Sequence, residues 1–211
     1  MLIEVIGLCG SGKTTLLNRV NKSIDNNDLI VIPKCRNKVL GYLYVFSFIL
    51  KIIFNYPKVI ILYFSSFRWL LLKLCYRYYN NFSFINCSKE CIPLDRGLLM
   101  PLIQYQTSHN IDDVKFDVKK LLNILPLPKK VIYLNTDYQT SIKQHTKRDK
   151  LKVNKQYNYN FSIADTTLKE ILYFLYKKKV DIIEIDKDIK AKSFIKVIKE
   201  KNVKKNRSFN K

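Results

Sequence analysis

The sequence predicts a three-layer α/β domain, a mostly five-stranded parallel sheet with helices on both faces and a hydrophobic helical insert. Three observations support this. Five short apolar runs recur along the chain, helical patterns separate them, and a glycine-rich loop joins the first run to the first helix. Strands alternating with helices require crossover connections, which lay helices over both sheet faces and make both apolar.

The first run is LIEVI at residues 2–6, followed by the loop and by a helical pattern in GKTTLLNRVNKSI from Gly12. LIVI at 29–32, CIPLD at 91–95, KVIYLN at 130–135 and VDIIEID at 180–186 have the length and composition of buried strands. Helices are expected at 137–149, 162–179 and 191–201. A chain of 211 residues buries a full core without disulfides or a structural metal, so residues 1–200 are expected to form one domain. The stretch KNVKKNRSFNK at 201–211 reads as a basic, loose tail.

The insert lies within residues 35–80, where VLGYLYVFSFILKIIFNYPKVIILYFSSFRWLLLKLCY at 39–76 is apolar and aromatic. Its longest run, Val39 to Phe54, carries Lys51 and stops before Pro57. That is short of the ~20 apolar residues that cross a bilayer. A buried helical insert in the acceptor region is the expectation, with peripheral membrane contact the competing reading.

A formal net charge of +21 favours polyanionic partners. The lysines are nevertheless spread from Lys13 to Lys211, and the Asn, Ile and Tyr content fits codon bias in an AT-rich genome. No nucleic-acid motif stands out, so a nucleic-acid partner is not expected. Cys9, Cys35, Cys75, Cys87 and Cys91 form no CxxC pair, which suits a reducing, cytoplasmic setting. The opening MLIEVIGLCG has neither a basic n-region nor a small-residue cleavage site, and no signal peptide is expected. A dimer is compatible with the sequence.

Chemistry concentrates in Gly7-Leu8-Cys9-Gly10-Ser11-Gly12-Lys13-Thr14, which matches G-x-x-x-x-G-K-[ST] at every fixed position. Backbone N–H groups of such a loop, with the positive end of the following helix, cradle phosphates. Gly7, Gly10, Ser11, Gly12, Lys13, Thr14 and Thr15 are the expected nucleotide contacts: Lys13 on the outer phosphates, and the Thr14 hydroxyl on magnesium. The ligands expected are ATP and Mg2+, since no convincing NKxD motif for guanine is present.

Ligands in this architecture sit at the carboxyl ends of the strands. Asp95 and Arg96, closing the third run before Gly97, are therefore candidates. The carboxylate can hold magnesium through water or orient an acceptor hydroxyl; the guanidinium can grip a phosphate. The helix at 137–149 ends in Lys143, His145, Lys147 and Arg148, and the polar stretch after it suggests a lid over 147–161, with Arg148 as its main cation.

With these motifs placed, the chain resembles the P-loop kinases of the thymidylate and nucleoside monophosphate kinase group, within the P-loop NTPase fold. In thymidylate kinases a strand ends in Asp-Arg and leads to a helix bearing Ser and Tyr-Gln. The counterpart here runs from Asp95 through Met100 and Pro101 to Gln104-Tyr105-Gln106. The serine is replaced around Met100 and Pro101, and the Tyr-Gln pair falls one residue late. The family's acceptor-binding pattern is not found at 35–80. A hydrophobic insert feeding into an acidic motif is also similar to kinase-like proteins of bacterial surface-polysaccharide synthesis.

The resemblance implies an ATP- and magnesium-dependent phosphotransferase with Lys13, Asp95, Arg96 and Arg148 as catalytic residues, and Thr14 and Asp95 at the metal. Its small-molecule acceptor would be a nucleoside monophosphate such as thymidylate or a surface-polysaccharide precursor. The alternative is an ATP-dependent switch docking on a membrane or partner through the insert.

Overall fold

A computed structural model describes residues 2–23, 38–55, 70–77, 79, 92–94, 97–108, 118–150 and 153–199 of the chain. Four parallel strands form the described sheet: β1 (Leu2–Ile6), β2 (Ile92–Leu94), β3 (Lys130–Asn135) and β4 (Asp181–Asp186), in the order β2-β1-β3-β4. The register sets Ile3 beside Pro93 on one flank and Lys130 on the other. Four of the expected strands are thus observed, and the run at 29–32 lies outside the described residues.

The helices are α1 (Lys13–Ser23), α2 (Lys38–Asn55), α3 (Met100–Ser108), α4 (Val118–Ile124), α5 (Tyr138–Asp149), α6 (Lys155–Lys177) and α7 (Ala191–Lys199), with a further helical stretch at 70–77. Side chains alternate across the sheet with period two. Ile3, Val5, Ile132 and Leu134 therefore enter one core with Leu16 and Val20 of α1 and Phe194 and Ile198 of α7. Val131 faces the other, with Leu102, Leu121, Phe48 and Leu74, and with Leu168, Ile171 and Leu175 of α6. Both faces are covered, as the alternation predicts. Each fully buried aliphatic side chain stabilises the fold by roughly 1.5–3 kcal/mol.

α6 begins earlier than the sequence suggests. The apparently aperiodic stretch from Asp149 to Asn160 is helical from Lys155 onward. The reason is local: Asn154 caps the helix by accepting the Tyr157 N–H at 2.7 Å, and the Tyr138 hydroxyl donates to the Asn158 carbonyl at 3.1 Å. Tyr138 and Phe161 add an edge-to-face contact at 5.3 Å.

α2 buries Phe48 and Ile52 but exposes Val39, Leu43, Phe46 and Phe54. Among the described residues no helix is long and apolar enough to cross a membrane.

Candidate active site

β1 delivers the glycine loop to the carboxyl end of the sheet, and α1 starts at Lys13. Gly10 and Gly12 have φ of 82° and 90°, the left-handed region that side chains oppose. Gly10 carries a second constraint: a methyl group there would collide with the Ser141 carbonyl and crowd the His145 backbone nitrogen, so α5 packs directly on the loop. The Thr136 hydroxyl, just beyond β3, donates to the Ser11 carbonyl at 3.3 Å and fixes the loop from below.

Lys13 is 9% exposed, and its ammonium donates to the carbonyls of Gly7 at 2.9 Å and Leu8 at 2.7 Å and to the Ser11 hydroxyl at 3.2 Å. These partners hold the charge at the loop's centre. A cavity of about 550 Å³ opens there, walled on the loop side by Cys9, Gly10, Gly12, Lys13, Thr14 and Thr15. Gln144 and Arg148 reach it from α5, Met100, Pro101 and Gln104 from α3, and Lys73 and Arg77 from residues 70–77.

Arg148 is oriented by its neighbour. Its Nε and Nη2 donate to the two carboxylate oxygens of Asp149 at 2.6 and 2.9 Å, an arrangement that raises the guanidinium pKa and lowers that of Asp149. His145, one turn earlier, bonds Tyr157 of α6 through Nδ1 and lies 3.1 Å from the Asp149 carboxylate through Nε2. Burial holds the imidazole below its usual pKa, against the pull of Asp149, and Arg148 and Lys13 push the same way as burial. His145 is thus a neutral joint between α5 and α6.

Of the residues expected from sequence, the structure brings Gly10, Gly12, Lys13, Thr14, Thr15 and Arg148 together around one cavity, with Gly7 and Ser11 holding the Lys13 ammonium. Lys147 is exposed and does not line the cavity among the described residues. Asp95 and Arg96 lie outside the described residues. Sequence reasoning missed Lys73, Arg77 and Gln104. Their signal was present: Lys73 and Arg77 stand four apart in the apolar LLLKLCYR, the spacing that puts two cations on one helix face.

Glu4 was also missed. It sits mid-strand in β1, 1% exposed, and accepts the backbone N–H groups of Leu98, Leu99 and Met100. Burial pushes its carboxyl up to about 7, opposed by those three donors and by the Arg77 guanidinium. A charged residue inside a five-residue strand of a two-sided sheet was the available clue.

No protein-family model matches the chain, and no curated protein matches it in sequence. Solved structures do match. Deoxyadenosine kinase from M. mycoides with the products dCMP and a flexible dCDP superposes with a TM-score of 0.57 at 17% identity, covering 94% of this chain and 96% of that one. The same enzyme with bound dATP gives a TM-score of 0.53 at 20% identity over 94% and 97% of the two chains. With bound dCTP the values are 0.52 and 17% over 94% and 96%. At this level of identity the likeness is one of fold: the chain shares the α/β architecture of these kinases.

Proposed function

We propose that this protein is an ATP- and magnesium-dependent phosphotransferase whose small-molecule acceptor carries a phosphate, with a nucleoside monophosphate the class that fits best. The observation that carries the reading is the charge of the cavity. Its described lining holds Lys13, Lys73, Arg77 and Arg148 and no carboxylate. Asp95 and Arg96, if they join it, add no net charge. Bringing a phosphate monoester up to a triphosphate opposes like charges, and several cations at close range in a partly desolvated cleft offset that repulsion. The volume is in the range of small-molecule sites.

Lys13 would turn from the Gly7 and Leu8 carbonyls to the outer phosphates of ATP. Arg148, presented by Asp149, would close over the transferring group and Arg96 would grip the acceptor or transferring phosphate. Asp95 would orient the acceptor hydroxyl or hold magnesium through water. Among the described residues no group of three or more His, Cys, Asp or Glu could hold a metal. Magnesium would be bound mainly by phosphates and waters, with the Thr14 hydroxyl as a protein ligand. When bound, the ion would neutralise charge on the phosphate oxygens.

The likeness to deoxyadenosine kinases supplies the competing acceptor, an uncharged nucleoside. Phosphorus NMR of the protein with Mg-ATP and matched pairs of deoxynucleosides and their 5′-monophosphates decides between them, with Lys13→Ala as control. Diphosphate products are expected. Turnover of nucleosides alone overturns the phosphate-bearing acceptor, and no Lys13-dependent product from either class overturns the phosphotransferase.

A further inference from the structure

Glu4 occupies a position where packing alone asks for an apolar residue. Its neighbours Ile3 and Val5 are fully buried, and the sheet face it points to carries the larger core. A buried carboxylate is retained only where it has enough donors. Here Oε1 accepts the N–H of Leu99 at 2.8 Å and of Met100 at 3.3 Å, and Oε2 accepts the N–H of Leu98 at 3.1 Å. These amides open α3, where backbone donors have no partner within the helix. Helix caps ordinarily come from a Ser, Thr, Asp or Asn beside the helix. This one comes from 94 to 96 residues away in sequence.

What the bonds connect gives them a role. β1 runs from Glu4 directly into Gly7 and the glycine loop, while Met100, Pro101 and Gln104 of the first turns of α3 line the same cavity as that loop. Gly97 keeps the approach open, since a methyl group there would strike the Glu4 carboxyl. Arg77, which lines the same cavity, is the charged group among the described residues that acts on Glu4.

We propose that Glu4 is a positioning residue that sets the separation between the phosphate loop and the acceptor side of the cavity by holding the first turn of α3. It does not reach the cavity lining and takes no part in the chemistry. Its role as a determinant of acceptor affinity rests on the phosphotransferase reading above; the hydrogen-bonded tie itself does not.

Two substitutions grade the tie. Glu4→Gln keeps the shape and one acceptor oxygen, and Glu4→Met keeps the shape with none. Amide hydrogen exchange at Leu98, Leu99 and Met100, compared with Leu168 and Ile171 in α6, reads the tie without any turnover. Protection at 98–100 is expected to fall about tenfold or more in Glu4→Gln and further in Glu4→Met, with α6 unchanged. In the same variants KM for the acceptor should rise about tenfold while the ATP dissociation constant stays within about twofold. Unchanged protection at 98–100, or equal loss at every core amide, overturns the tie. Acceptor and ATP constants moving in parallel overturn the positioning role. If Glu4→Met does not fold, Glu4→Gln carries both readouts.

Discussion

The glycine loop with α5 and the wall built from residues 70–77 and the start of α3 line one cavity, but they are assembled over different ranges of sequence. The loop side takes its lining from residues 9–15 and one packed helix. The rest of the lining draws Lys73, Arg77, Met100 and Gln104 from two separated segments, and Glu4 ties the start of α3 to the sheet. A short-range motif fixes backbone shape within itself. A long-range wall depends on register, helix docking and one buried carboxylate, so its residues have meaning only once the fold exists.

If the two sides do separate jobs, breaking each should have a separate signature. The largest effect is expected from Lys13→Ala, which removes the charge at the loop's centre: turnover should fall by about a thousandfold or more with the fold retained, checked by steady-state kinetics and circular dichroism. Residual activity within tenfold of the parent would mean that the loop side does not dominate.

The second effect tests how firmly the far wall is anchored. The Glu4 carboxyl stands at about 7 in the folded chain against 4.5 ordinarily, so the unfolded chain releases this proton first. Its contribution to stability is complete below pH 4.5 and is lost as pH rises to about 7, a total of roughly 3 kcal/mol. Urea unfolding at pH 4.5 and 8 should show the parent losing that amount relative to Glu4→Gln; parallel profiles would show that the carboxyl titrates normally.

Third, the double substitution Lys73→Gln/Arg77→Gln should raise KM for a monophosphate acceptor about thirtyfold while changing the ATP constant little. Equal effects on both would merge the two sides into one. The smallest effect belongs to Arg148→Ala. A fall in kcat of about tenfold is expected, with stability changed by no more than about 0.5 kcal/mol, because the guanidinium is mostly exposed and its pairing with Asp149 is a surface one.

The same division explains what was legible in the sequence. LIEVI, KVIYLN and the glycine loop announce themselves because strand burial, helix start and positive-φ glycines are all encoded within a few residues. The start of α6 was not legible. Its polar first turns are held by the Asn154 cap and by Tyr157 and Phe161 contacting α5, and those contacts span the connection. Lys73 and Arg77 are submerged in an apolar run whose hydropathy invites a membrane reading, and only the docking of residues 70–77 brings them to the cavity. Glu4 blends into a hydrophobic strand because its partners lie at the start of a helix distant in sequence.

Cys9 stands in the cavity wall as a free, partly exposed thiol, two residues from Gly7 and next to Gly10. A nucleotide seated on the loop would shield it. The chain therefore contains its own occupancy gauge: the rate at which a small alkylating reagent modifies Cys9 should drop as ATP is added. That thiol can report donor binding for acceptors that have not been identified and for variants too slow to assay.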